Sequence, residues 1–300
     1  AYRTTFNPII GSFLIELLIR SKEIETVEDI LRRSSDEFIS DLIRRSETRA
    51  EGLKQQGSSQ AIFENNILLA LLYIESQKED NAIAPLLEVL KSPSTDLEMV
   101  GNLLVKIEQI HPENPLVKYA LGLVSIKLNR PRKALPRLFQ SLKHKDAPVE
   151  EILEAVEGIN DNIPELKLIK GELLILKQET QEGCNLIRDY FKELLSTDES
   201  SGLIEEGELP REEKIEFAIS RVSGLLTRYP ISKELTFLYA DMKKTSGEIK
   251  EGISALEVLY NLNPESSEDI VSWLEMDDEA LTCAPAKKLL AKIYIAERKL

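Results

Sequence analysis

Apolar residues recur at helical spacing along most of the chain, and residues 114–142 show this pattern most clearly. Two amphipathic segments flank a short Asn-Arg-Pro turn, with Gly122 in the first segment and Ala134 in the second, twelve positions later. Small residues let two helix backbones approach closely, while apolar positions three or four residues apart form one face. The stretch therefore predicts a helical hairpin.

The same spacing of small residues recurs along the chain, which indicates an internal repeat. Each second small residue is followed four positions later by an apolar residue: Leu86, Leu138, Ile187 or Leu256. One hairpin cannot bury its own apolar face, so we expect stacked neighbours. The paired positions are Ala70 and Ala82, Gly122 and Ala134, Gly171 and Gly183, and Ala240 and Gly252, and Ala291 opens a further unit.

This pattern resembles the tetratricopeptide repeat, a helical hairpin with small residues at its eighth and twentieth positions. The resemblance implies an all-α fold, a right-handed α-solenoid of such hairpins. However, the first small residues are 52, 49, 69 and 51 positions apart, whereas plain tetratricopeptide arrays repeat about every 34 residues. We therefore expect a third helix in each unit, and armadillo-type or other α-solenoid packing remains open. The predicted third helices span residues 96–110, 149–159, 212–228 and 267–275.

The repeat pattern divides the chain into two parts. Residues 1–60 form a predicted helical lead-in or cap, with helices at 27–33 and 35–51, a worn-down unit starting at Gly11 and a hinge at 52–60. The apolar segment 9–19 is shorter than the roughly 18 residues that cross a bilayer, so it predicts a buried helix, with the stub of an anchor as the alternative. Residues 61–300 form the solenoid, in units at about 63–112, 115–161, 164–230 and 233–283, with a partial unit at 284–300.

Composition narrows the class of partner. The chain of 300 residues has a net charge of −14 and a pI near 4.9, which disfavours nucleic acid as a partner. Of the two cysteines, Cys184 adjoins the packing residue Gly183, and we expect it to be structural. The chain contains no Asn-x-Ser/Thr sequon and no disulfide framework, so we expect a cytoplasmic protein, with a membrane-anchored full-length form left open.

Charge is unevenly distributed along the sequence. Residues 114–145 contain eight Lys or Arg and no acidic residue, and Lys133, Arg137 and Lys143 are the predicted basic patch on the second helix. Residues 251–286 contain nine acidic residues and no Lys or Arg. The basic stretch is therefore either a solvated face or a docking patch for an acidic partner. In the second case one hypothesis is a self-assembling structural component, a homo-oligomer in which 118–145 meets 251–286. Residues 197–210 are acidic and polar, which predicts either a plain insertion or a linear motif anchored by Leu203 and Ile204.

The sequence carries no motif of a cofactor, metal or catalytic site. The two histidines, His111 and His144, have no second ligand at metal spacing, and phosphate-binding glycine loops and a Gly-x-Ser-x-Gly motif are absent. We expect no cofactor and no enzymatic activity. An α/α-toroid hydrolase with a carboxylate pair is a remote alternative, although Trp273 is predicted to be a core residue and not a sugar platform.

Tetratricopeptide proteins bind a peptide or partner helix along the groove formed by their first helices. Two hypotheses follow for the equivalent positions here: either a partner docks there, or the third helices fill the groove and these residues are core. We favour the second, because an open apolar surface of that length promotes aggregation. The resemblance thus implies a non-enzymatic interaction scaffold or adaptor for a protein or peptide partner. Its groove positions would be Ile67, Leu71, Ile74, Tyr119, Leu123, Ile126, Leu168, Glu172, Ile175, Phe237, Asp241 and Lys244.

Overall fold

The computed structural model describes residues 8–56, 58–92, 96–159, 163–196, 210–276 and 278–297. Every regular element in these ranges is a helix and none is a strand, which confirms the predicted all-α class. The predicted acidic insertion lies outside the described residues except for Pro210. No helix in these ranges combines the length and the apolar character needed to cross a membrane.

The described residues form seventeen α-helices and one short 3-10 helix at Pro264–Ser266. Four of them, α6, α9, α12 and α15, match the predicted third helices to within two residues at each end. The α-helices are α1 (Pro8–Arg20), α2 (Ile24–Arg33), α3 (Asp36–Gln56), α4 (Ser59–Glu75), α5 (Glu79–Leu90), α6 (Leu97–Ile110), α7 (Pro115–Lys127), α8 (Pro131–Ser141), α9 (Val149–Glu157), α10 (Glu165–Leu176), α11 (Thr180–Ser196), α12 (Arg211–Arg228), α13 (Lys233–Thr245), α14 (Ile249–Leu262), α15 (Ser267–Glu275), α16 (Asp278–Thr282) and α17 (Ala284–Ala296).

The chain divides into two compact units, unit 1 (Ala1–Asp161) and unit 2 (Asn162–Leu300). The division falls near the end of the second predicted repeat. Helices α1 to α3 pack on α4, and Ile15 and Val27 share one apolar core with Ile67. Helix α3 continues to Gln56 and α4 begins at Ser59, so most of the predicted hinge is helical.

The hairpins share one turn geometry. The residue seven positions after each first small residue has a positive φ: 60° at Gln77, 56° at Asn129, 70° at Gln178 and 81° at Gly247. In the α7–α8 turn, the Asn129 N–H donates to the Ile126 carbonyl (2.9 Å), and the next N–H donates to the Ser125 carbonyl (2.9 Å). This pair of bonds is the Schellman arrangement that ends a helix with a left-handed residue. It fixes where each second helix begins.

The turn between α1 and α2 has the same geometry, which reveals a hairpin that the small-residue pattern did not place. Lys22 has a φ of 62°, its N–H donates to Ile19, and the next N–H donates to Leu18. Counting from this turn puts Ile15 and Val27, both fully buried, at the two small-residue positions. By this count the first position of the unit is Pro8, whereas the small-residue pattern suggested a start at Gly11.

The paired small residues lie where two helices come closest. A methyl group added at Gly183 would lie 2.5 Å from the Gly171 carbonyl oxygen, and one added at Gly252 would lie 3.0 Å from the Ala240 carbonyl oxygen. At Gly122 the nearest atom would be Leu138 Cδ2, at 2.5 Å. Ala70, Ala82 and Ala134 are fully buried in their own hairpins. The structure therefore brings the predicted pairs together where α7 crosses α8, α10 crosses α11 and α13 crosses α14.

We expect the two cysteines to differ sharply in reactivity. Cys184 is 1% exposed, and burial raises the pKa of its thiol to about 12, whereas Cys283 is half-buried at the start of α17. Because the thiolate is the reactive form, native protein near pH 8 should take up one iodoacetamide, at Cys283, and a second only after unfolding. Intact-mass spectrometry checks this, with Cys283→Ser as the control that leaves the native protein unlabelled. Equal labelling of both thiols in native protein would contradict the expectation.

Candidate functional site

The predicted groove positions are largely enclosed. Ile67, Leu71, Tyr119, Leu168 and Glu172 are all less than 9% exposed, as is Ile175, so a peptide cannot reach them unless the helices separate. The remaining positions are half-buried: Ile74, Leu123, Ile126, Phe237, Asp241 and Lys244. The six buried groove residues therefore cannot contact a partner in this conformation.

In unit 2, an ion pair joins the first helix α10 to the third helix α12. Arg221 donates from Nε to Glu172 Oε2 over 2.9 Å and from Nη2 to Glu172 Oε1, and both side chains are buried. Burial raises the pKa of Glu172, and the arginine opposes that rise. The groove position at Glu172 is thus occupied by a side chain of the same unit.

The other first helices are covered in the same way. Trp273 on α15 donates from its indole nitrogen to Asp241 Oδ1 on α13 over 2.8 Å, so the tryptophan packs against the core as predicted. In unit 1, α9 packs on α7 near Tyr119, whose pKa rises to about 12 through burial and the nearby carboxylates of Glu151 and Glu154.

Helix α4 is covered by the helix that precedes it. Asn65 donates to the Ser46 carbonyl over 3.0 Å, and the Tyr73 hydroxyl donates to Glu47 over 2.5 Å, which ties α4 to α3. The first helices of the four hairpins are thus contacted by α3, α9, α12 and α15.

Only part of the predicted basic patch is free of ion pairs among the described residues and exposed to a partner. Arg137 pairs with Glu108 of α6, which also accepts from Lys118 at 2.6 Å. Lys133 and Lys143 are exposed, and Lys143 has a partner of its own. The exposed basic residues concentrate instead at the α7–α8 turn, namely Lys127, Arg130, Arg132 and Lys133, of which Arg132 also has a partner.

The predicted acidic stretch is partly neutralised within unit 2. Lys243 pairs with Glu251 at 2.6 Å, Lys292 with Glu257 at 3.3 Å, and Lys233 with Asp269. These lysines all lie outside residues 251–286, which is why the stretch appeared unopposed in the sequence. A carboxylate that already forms an ion pair attracts a second cation less strongly. Residues 251–286 are therefore a weaker binding surface for the basic residues of the α7–α8 turn than the sequence suggested.

Helix α1 carries an exposed apolar stripe that the sequence pattern did not predict. Ile10 is 63% exposed, Phe13 64% and Leu17 44%, and their spacing of three and four residues places them on one face. The opposite face buries Ile15 and Ile19. The prediction of a buried helix is therefore correct for only one side of α1. We call the three exposed residues Ile10, Phe13 and Leu17 the α1 stripe.

Each of the two histidines lies near a single carboxylate. His111 lies 3.7 Å from Glu79 and His144 lies 3.7 Å from Glu113. In the part of the chain that the structure describes, no group of three or more His, Cys, Asp or Glu is arranged to hold a metal ion. The candidate binding surfaces among the described residues are thus the α1 stripe, the basic α7–α8 turn and the grooves between helices.

Comparison of the sequence with protein-family models and with curated protein sequences gives no match.

Proposed function

We propose that this protein is a non-enzymatic scaffold that binds a protein partner on the outer surfaces of its helical hairpins. The hairpins are, in this proposal, degenerate tetratricopeptide repeats extended by a third helix, supported by small-residue pairs that meet twelve positions apart. A cytoplasmic setting is part of the proposal and is supported by the sparse cysteines and the absent sequons.

The α1 stripe is the observation that carries the proposal. Three large apolar side chains exposed together on one helix are unusual on a soluble surface, where they mark contact sites for other proteins. Because these side chains of α1 are exposed on the face opposite to Ile15 and Ile19, we propose that a partner covers them.

An amphipathic helix is the partner that fits this surface. The stripe runs along the helix axis at the spacing by which one helix packs against another, so a partner with apolar residues at i, i+3 and i+7 would match it. The helix flanks are charged, since Glu16 pairs with Arg49 at 2.8 Å and Arg20 pairs with Glu64 at 2.9 Å. We expect contact to be limited to the apolar strip between these pairs.

The test is partner capture with a variant of the stripe. Phe13→Glu should lower recovery of the specific partner by roughly tenfold or more, because a central aromatic residue commonly contributes most of the binding energy. The measurement is affinity capture from source lysate with quantitative mass spectrometry. Binding of the identified partner to purified protein is then measured by calorimetry.

The matched control is Ile231→Glu, which introduces the same charge at an isolated apolar residue that is 63% exposed. It should leave partner recovery unchanged. If Phe13→Glu and Ile231→Glu retain the same proteins as the unmodified chain, while circular dichroism shows both to be folded, the stripe is not the binding surface.

A further inference from the structure

Unit 2 contains an open groove between α12 and α13 that no part of the proposed function uses. Its volume is about 530 Å³, within the range of ordinary ligand-binding clefts. Ile215 and Ile219 of α12 and Tyr239 of α13 give it an apolar floor. Glu212 and Glu216, one helical turn apart on α12, form its rim.

The groove is electrically negative. Glu212 and Glu216 are exposed, and neither forms an ion pair among the described residues. The one cation in the lining, Lys243, is already satisfied, because it pairs with Glu248 and with Glu251 at 2.6 Å and lies 5.9 Å from the centre of the Tyr239 ring. The rim carboxylates are therefore free to attract a basic group from outside.

The same chain carries a basic surface of opposite charge. Lys127, Arg130 and Lys133 are exposed around the left-handed residue Asn129, so three cations project from one narrow turn. Leu128 is only half-buried at the same turn and adds apolar surface. The turn thus combines cations with an apolar residue, and the groove combines carboxylates with apolar side chains, so the two surfaces are complementary in charge.

We propose that the α12–α13 groove of one molecule binds the α7–α8 turn of a second copy of this chain. The contact does not depend on the α1 stripe and goes beyond the proposed function. It also revises the hypothesis drawn from the sequence, because the acidic side is the groove at 212–216 and not residues 251–286. Since the two surfaces differ, the contact is heterologous, and each bound copy leaves another groove and another turn open for further copies.

Salt is the first test of this contact. Exposed ion pairs are individually weak and are screened within about 3 Å at about 1 M salt. We expect the weight-average sedimentation coefficient of purified protein to rise with concentration at low salt and to stay at the monomer value at about 1 M NaCl. A chain that is monomeric at all concentrations in low salt overturns the proposal.

Charge reversal gives the decisive test. The groove variant Glu212→Lys, Glu216→Lys and the turn variant Arg130→Glu, Lys133→Glu should each weaken self-association at least about tenfold. An equimolar mixture of the two variants should recover it, because each variant then offers the surface that the other lacks. Failure of the mixture to associate, with both variants folded by circular dichroism, overturns the proposal.

Two controls separate this contact from other causes. Glu265→Lys, Glu268→Lys changes the net charge as much as the groove variant does, at exposed residues of the acidic stretch, and should leave association intact. Phe13→Glu should also leave it intact, so a failure of the proposed partner site does not affect this test. Loss of association in either control would place the contact elsewhere and overturn the assignment.

Discussion

Replacing Gly183 with alanine is expected to destabilise unit 2 by roughly 3 kcal/mol. The added methyl group would lie 2.5 Å from the Gly171 carbonyl oxygen, 2.6 Å from Ile175 Cγ1 and 3.1 Å from the Ile175 nitrogen. Two of these three atoms belong to the backbone of α10, so no side-chain rotation relieves the clash. Helices α10 and α11 would have to separate and lose their packing.

The control for this change is Gly224→Ala, which should have the opposite sign. Gly224 lies inside α12, is exposed and has no atom within 4 Å of an added methyl group. Alanine is favoured over glycine in a helix by about 0.5–1 kcal/mol, so stability should rise slightly. Urea unfolding followed by circular dichroism measures both variants. Equal stability of Gly183→Ala and the unmodified protein would show that the close approach of α10 and α11 is not required.

Replacing Arg221 with methionine is expected to destabilise the protein by roughly 3–5 kcal/mol, because it leaves the buried Glu172 carboxylate without its partner. Both side chains are almost inaccessible, and the arginine contributes two hydrogen bonds to the carboxylate. The double variant Glu172→Leu, Arg221→Met should recover most of the loss, since an apolar pair of similar volume has no charge to desolvate.

The pH dependence of Arg221→Met provides an independent check. Burial raises the pKa of Glu172, and in the variant Arg221 no longer opposes that rise, which leaves only the weaker effect of Arg228. A carboxyl group whose pKa is higher in the folded state than in the unfolded state binds protons more tightly when folded. The loss of stability should therefore shrink as the pH falls from about 8 to about 5. Urea unfolding at several pH values measures this, and a loss that grows as the pH falls would contradict the role of the unpaired carboxylate.

Much of the fold follows from spacing alone. The pair Gly171 and Gly183 predicted a close crossing of two helices, and the structure places a backbone oxygen of one against the Cα position of the other. The third helices were predictable because the added residues, such as those of α15, repeat apolar positions at helical spacing. These features depend on residues that are close in sequence, which is why a local pattern identified them.

Features set by distant residues were not predictable in the same way. The turn of the first hairpin was not predicted, because Ile15 and Val27 stand where the other hairpins have alanine or glycine, and because lysine is an uncommon residue at a positive φ. The pairing of Glu172 with Arg221 joins residues 49 positions apart. One signal was present, since Arg221 lies on the same face of α12 as the buried residues Ala218, Val222 and Leu225, where only a paired charge is tolerated.

The shared turn has a consequence for how the chain folds during synthesis. The hydrogen bonds of each hairpin turn involve only residues up to the start of the second helix. The helices of a hairpin pack mainly on each other and on elements that are next to them in the chain. Proteins rich in such local contacts fold rapidly, and nascent chains fold from the N-terminal end. Successive hairpins can therefore form in the order in which they leave the ribosome. The α1–α2 hairpin, for example, is synthesised before α4, against which both of its helices pack.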